Sequence, residues 1–189
     1  MSQPQAETKS PRLVTEAEWK QHRADAVHSL PTGGEVADVL MPYQQELLRT
    51  TAANRVTVVE KSRRTGFTWA AGADAVLTSG AERGAGGMDT LYLGYNLEMA
   101  REFIDTCAMW ARAFNQAATA IEETLFDDGP DASIKAFRIA FASGFEILAL
   151  TSKPRSLRGR QGYVILDEAA FHDDLGEVLK AAMALLIWG

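Results

Sequence analysis

The stretch from Val56 to Thr68, V-T-V-V-E-K-S-R-R-T-G-F-T, constrains the fold of this chain more than any other. Val56, Val58 and Val59 are apolar and β-branched, the composition of a buried strand, and the run stops at Glu60. A short polar turn follows, and Gly66-Phe67-Thr68 opens a helix-compatible segment. Strand, loop and helix start in this order build a cradle for phosphate, because loop N–H groups and the positive end of the helix dipole converge on one point. The consensus G-x-x-x-x-G-K-[ST] is nonetheless broken. Lys61 stands where the first Gly belongs and Phe67 where the phosphate-binding Lys belongs, so Gly66 and Thr68 alone are in register. The residues leave three readings open: a degraded phosphate loop, a chance likeness, or a variant whose lysine has moved from the loop's end to its start.

The surrounding chain supplies the periods of an α/β domain. Residues 1–12 have the polar, proline-containing composition of a disordered segment. Thr15 and Glu18 form a capping box for a helix to about His28, and Pro31-Thr-Gly-Gly34 marks a turn. Pro42 suits the first turn of a second helix, with Tyr43, Leu47 and Leu48 on its apolar face. On the residues alone, Gln44 reads as an exposed glutamine of that helix. Phe67 to Thr78 is rich in small residues and predicts a helix packed closely on a sheet, followed by a glycine loop at Gly84, Gly86 and Gly87. Thr90–Tyr95 predicts a strand. Asn96 caps a long helix with the stripe Leu97, Ala100, Ile104, Cys107, Ala111, Phe114. Cys107 in that stripe reads as a small buried hydrophobe rather than a reactive thiol.

Asp127 to Asp131 predicts a solvated turn whose acidic spacing fits no calcium loop. Ile134–Phe141 alternates, with Lys135, Phe137, Ile139 and Phe141 on one face. Ser143-Gly144 turns the chain and Phe145–Leu150 returns, which is a β-hairpin. The basic segment Lys153–Arg160 leads into Tyr163-Val-Ile-Leu-Asp-Glu168, a short apolar strand that delivers two carboxylates to its C-terminal edge. A helical pattern runs from Phe171 to Leu186. The ending Leu-Leu-Ile-Trp-Gly189 has the look of an approach to another buried strand, as in a piece of a longer protein. His22, His28 and His172 are isolated and read as surface residues.

Composition narrows the class. At 189 residues the chain can bury one domain, and 47% hydrophobic with 23% charged residues is ordinary for a globular protein. No apolar run is long enough for a membrane span, and Met1–Pro11 lacks the apolar core of a secretory signal. One cysteine excludes an internal disulfide and a multi-cysteine metal site, and fits a reducing compartment. A formal charge of −6 restricts nucleic-acid contact to a local basic patch.

The phosphate loop and the strand ending in Asp167-Glu168 have meaning together. Phosphoryl hydrolysis needs a cradle for the phosphates, a hydroxyl and a carboxylate for Mg²⁺, and a base that orients water. Thr68 and Asp167 would serve the metal, Glu168 the water, and Lys61 the phosphate charge, since Phe67 cannot.

K-S-R-R-T-G-F-T resembles the deviant Walker A loop of the large terminase subunit of tailed bacteriophages, in its lambda-like and Mu-like branches, where the lysine opens the loop and an aromatic follows the glycine. The resemblance extends to P-Y-Q-Q-E (Pro42 to Glu46), the hairpin with its Ser-Gly turn, S-L-R-G-R (Ser156 to Arg160) and V-I-L-D-E-A-A-F (Val164 to Phe171). It covers about residues 40 to 187.

The resemblance implies an α/β fold of the P-loop NTPase type (the ASCE branch), a three-layer sandwich with a mostly parallel sheet and a β-hairpin insertion. Residues 1–39 would be a tail and helix, and 40–189 an ATPase domain cut before its coupling motif and nuclease domain. It implies ATP and Mg²⁺ as cofactors. Lys61, Ser62, Gly66 and Thr68 would bind phosphates and metal, with Arg64, Thr65 and Phe67 completing the nucleotide loop. Arg63 would act on the γ-phosphate, Gln44 would read adenine, Asp167 would be the Walker B carboxylate and Glu168 the catalytic base. Arg158 would be an arginine finger reaching a neighbouring subunit, with Arg155 and Arg160 as rivals. Implied partners are double-stranded viral DNA, a portal protein, a small terminase subunit and further copies in a ring, all in the bacterial cytoplasm. Two other readings compete: a helicase-like P-loop ATPase outside packaging, against which Phe67 counts, and a non-catalytic prophage remnant.

Overall fold

The computed structural model describes residues 39–114, 122–127, 133–157 and 159–185. The anticipated N-terminal helix and the Asp128–Asp131 part of the acidic turn lie outside them.

Pro42–Ala53 forms α1, Phe67–Ser79 α2, Leu97–Ala113 α3 and Leu175–Leu185 α4. The strands are β1 (Thr90–Gly94), β2 (Glu122–Asp127), β3 (Ser133–Ala140), β4 (Glu146–Thr151) and β5 (Tyr163–Leu166). They make one five-stranded sheet in the order β2-β3-β4-β1-β5. β1 runs parallel to both β4 and β5, whereas β2–β3 and β3–β4 are antiparallel. The sheet is therefore mixed. The hairpin forms where its alternation and Ser-Gly turn place it, with Gly144 at φ +87. Its second strand is not an appendage, because β4 occupies the middle of the sheet beside β1. β2 has too brief an alternation, E-E-T-L-F-D, to announce itself in the sequence.

Period-two alternation sorts the sheet's two faces. Tyr92, Ile147 and Ala149 point into a core shared with α1, α2 and α3. Leu91, Leu93, Leu148 and Leu150 point into a second core, closed by Leu157 and by Val178, Ala181, Ala182 and Leu185 of α4. Helices on both faces explain why β1 is buried along its whole length.

α3 buries the stripe read from its period, with Leu97 at the margin, and Asn96 caps it by accepting the Met99 N–H at 2.9 Å. Burial pushes the Cys107 thiol well above its ordinary range, so it behaves as a core hydrophobe. The small residues of α2 let it sit between sheet and α3, with Ala70 and Gly72–Ser79 all buried. The approach to α3 is so close that a Cβ on Gly72 would lie 2.8 Å from Cγ2 of Thr106. Asp74 inside α2 accepts the hydroxyls of Thr51 from α1 (2.8 Å) and Tyr163 from β5 (3.0 Å), tying three elements at one buried carboxylate.

Three expectations are corrected. Tyr43 is exposed rather than core, and Gln44, read as exposed, is buried with Gln45, while Leu48 is buried as its apolar face requires. Val56–Glu60 forms no strand and pairs with none among the described residues, and Val58 is 91% exposed. The β preference of valine is a preference for packing on a sheet, and without a ladder partner it makes no strand.

Overpacking the α2–α3 contact tests this arrangement. Gly72→Leu should lower the unfolding free energy by about 1–3 kcal/mol, read as a drop in the thermal midpoint. An unchanged midpoint would show that the helices are not in contact at Gly72.

Candidate functional site

β1 and β5 end side by side, and parallel sheets present their working residues at such C-terminal edges. Asp167, the first residue after β5, is 7% exposed. Four donors converge on its two oxygens. Oδ2 accepts the Thr68 hydroxyl at 2.7 Å and the Tyr92 hydroxyl at 3.2 Å. Oδ1 faces Lys61 Nζ at 3.0 Å and accepts the Glu168 N–H at 2.9 Å. Lys61 also stands 3.9 Å from Glu168 Oε1. Burial, then the charge of Asp167, pushes the Tyr92 phenol far up, so it is a neutral donor at all ordinary pH. Thr68 and Asp167 are 99 residues apart, and the sheet unites them.

The loop Lys61–Thr68 is shaped by two left-handed residues, Arg64 (φ 62) and Gly66 (φ 72). The Thr65 hydroxyl donates to the Ser62 carbonyl at 3.2 Å. Gly66 is the N-cap of α2 and offers no capping side chain, so the helix's first N–H groups keep no intrahelical partner. A Cβ on Gly66 would come within 2.5 Å of Gln44 Nε2, so a side chain there would displace the end of that glutamine in addition to straining the left-handed backbone.

That closeness reflects a staple from α1. Gln44 Nε2 donates to the carbonyls of Thr65 (3.3 Å) and Gly66 (3.1 Å), while its Oε1 accepts the Met41 N–H at 2.9 Å. Tyr43 adds a hydroxyl bond to the Thr65 carbonyl at 2.8 Å, and its ring packs on Phe67 with centroids 5.5 Å apart. The aromatic that breaks the consensus thus docks the loop onto α1.

Lys61, Thr68, Asp167 and Glu168 are brought together; Ser62, Arg63 and Arg64 lie exposed on the loop. Arg158 and the side chain of Arg155 lie outside the described residues. Arg160 acts on Asp89, which precedes β1, and so belongs to the opposite edge of the sheet from Asp167. His172 corrects an expectation. It is 6% exposed, with Nε2 2.7 Å from the Asp167 carbonyl and Nδ1 bonded to the Ser152 hydroxyl. Tyr92 and His172 carried no sequence signal for the site, and Tyr43 carried one for an apolar face alone, because each acts through contacts that no local period encodes.

Chemically, the loop offers free N–H groups at a helix start, suited to an anion. The Thr68 hydroxyl beside Asp167 suits a hard cation that keeps most of its other ligands from elsewhere. Lys61 shows that positive charge is already accommodated there.

The staple can be tested directly. Gln44→Ala should speed tryptic cleavage after Arg63 and Arg64 by roughly tenfold, through easier local opening. Cleavage at the wild-type rate, read by mass spectrometry, would show that Gln44 does not hold the loop.

No family model matches the chain. Over 151 residues, 80% of its length, it is 54% identical to the Mu-like prophage FluMu protein gp28 of Haemophilus influenzae. Over 154 residues, again 80% of the chain, it is 46% identical to the probable terminase, large subunit gp28, of Escherichia phage Mu. The chain spans 29% and 28% of the length of these two relatives. Over four fifths of its length the chain is thus similar to gp28 proteins of a Mu-like prophage and of phage Mu, the latter named a probable terminase large subunit.

Proposed function

We propose that this chain is the nucleotide-binding part of a DNA-packaging terminase large subunit, a P-loop ATPase whose phosphate-binding lysine has moved to the start of the loop. The observation that carries the reading is the convergence of Lys61 and Thr68, from the two ends of the loop, on Asp167. A lysine at the consensus position would enter from the helix start; here Phe67 fills that place and Lys61 reaches the same carboxylate from the other side.

The roles follow from chemistry. The first N–H groups of α2 and Lys61 bind the phosphates, with Ser62, Arg64 and Thr65 lining the loop and Arg63 facing the terminal phosphate. Thr68 and Asp167 would hold Mg²⁺, which would supply neutralisation of phosphate charge. Glu168 orients the attacking water. A contact of Gln44 with adenine belongs to the same proposal and requires its amide to exchange bonds that it makes here to Thr65, Gly66 and Met41. Arg158 is the proposed finger toward a neighbouring copy. Packaging of double-stranded DNA, with a portal protein and a small subunit, is the proposed setting.

A non-catalytic remnant has one observation in its favour, namely that among the described residues Val56–Glu60 has no strand partner to anchor the entrance of the loop. Binding of ATP without turnover would select that reading.

Lys61→Ala should weaken binding of a fluorescent ATP analogue by about tenfold or more, since it removes a charge-assisted contact. Glu168→Gln should keep the affinity and lower phosphate release by roughly a hundredfold or more. Equal affinities of wild type and Lys61→Ala would end the relocated-lysine reading.

The ion pair also sets an order of binding. Without nucleotide, Lys61 competes with Mg²⁺ for Asp167, so Lys61→Ala should bind Mg²⁺ more tightly than wild type in calorimetry. Weaker Mg²⁺ binding by the variant would show that Lys61 is not a resident counter-ion.

A further inference from the structure

Glu168 has the backbone setting φ 49, ψ 49, left-handed for a residue with a side chain. Among the described non-glycine residues it shares a positive φ with Arg64 alone. L-residues avoid this region because Cβ crowds the following carbonyl, so the setting persists where neighbours hold it.

What holds it is the peptide unit between Asp167 and Glu168, gripped at both ends. Its N–H, from Glu168, donates to Asp167 Oδ1 at 2.9 Å. Its carbonyl, from Asp167, meets His172 Nε2 at 2.7 Å. A carbonyl can only accept, so Nε2 carries the hydrogen. In the neutral ring, Nδ1 is then the acceptor and the Ser152 hydroxyl donates to it. One residue on, the Glu168 carbonyl accepts the Phe171 N–H at 2.9 Å, which closes the short 3₁₀ turn Ala169–Phe171. Rotation of the gripped peptide would change φ of Glu168 and swing its carboxylate away from Lys61.

The ring also reaches across the sheet. Ser152 follows β4 and Asp167 follows β5, with β1 between them. Ser152 N–H bonds to the Gly94 carbonyl at 2.9 Å and Asp167 N–H to the Leu93 carbonyl at 3.3 Å, so both ladders continue to the same edge. His172 spans that edge, and the chain beyond Ser152 is the basic segment starting at Lys153.

We propose that His172 is a positioning residue for Glu168. It fixes the peptide that aims this carboxylate, and through Ser152 it ties that aim to the end of β4. The inference rests on the ATPase reading for its kinetic consequence alone, because the backbone setting of Glu168 can be read without nucleotide.

The test uses the 189-residue chain with His172→Ala, His172→Gln and Ser152→Ala. In crystal structures, Glu168 should leave the left-handed region in His172→Ala and keep it in His172→Gln, whose amide presents an N–H at similar reach. In phosphate release, His172→Ala should lose about ten- to a hundredfold in kcat with analogue binding changed by less than about twofold. His172→Gln should recover most of that loss, and Ser152→Ala should fall between. Glu168 unchanged in His172→Ala overturns the proposal. So does a parallel loss of kcat and affinity that His172→Gln fails to rescue. Wild-type kcat in Ser152→Ala removes the link to β4. If His172→Ala does not fold, His172→Gln and Ser152→Ala decide the matter by the same readouts. If wild type hydrolyses no ATP, the proposed function fails, while the dihedral of Glu168 still decides whether His172 positions it.

Discussion

The carboxylate of Asp167 is the interaction on which the rest of the site depends. Burying an ion costs several kcal/mol. A hydrogen bond to a charged group contributes about 1.5–3 kcal/mol, so the four donors around Asp167 are enough to offset that cost. Each donor comes from a different part of the chain: Lys61 from the loop entrance, Thr68 from the first turn of α2, Tyr92 from β1, and Glu168 from the adjoining backbone. The carboxylate therefore joins loop, helix and sheet. Tyr92 extends the union inward, since its ring stacks on Phe103 of α3 at 3.8 Å.

The same economy governs the loop. A phosphate-sized loop must keep its N–H groups unpaired for a ligand, so its carbonyls and side chains have to supply the rigidity. Gln44 and Tyr43 grip the carbonyls of Thr65 and Gly66, and Phe67 rests on Tyr43. This grip explains the burial of Gln44, whereas the buried Gln45 beside it donates to the Leu40 carbonyl at 2.8 Å. A glutamine buried at 6% exposure is tolerable because both ends of its amide are bonded.

The sheet carries two antiparallel strands on one side of β4 and β1 and one parallel strand on the other. β2 and β3 extend it past β4, whereas β5 pairs with β1 alone among the described residues. All four residues of β5 are half-buried, unlike the fully buried β1.

Local periods made much of the fold legible. The α3 stripe with its Asn96 cap, the small-residue α2, the alternation on either side of Ser143-Gly144, and the apolar run into Asp167-Glu168 all stand where the residues place them. Such patterns encode which face of an element is apolar, and burial follows. The likeness of K-S-R-R-T-G-F-T and V-I-L-D-E to one family was also legible, and the relatives bear it out. What only the tertiary structure decided is which groups meet. The strand order made β4 central and, among the described residues, left Val56–Glu60 outside the sheet. The edge shared by β1, β4 and β5 turned His172 from an apparent surface residue into a buried bridge. These outcomes depend on sheet order and register between distant segments, and neither quantity is written in the period of any one of them.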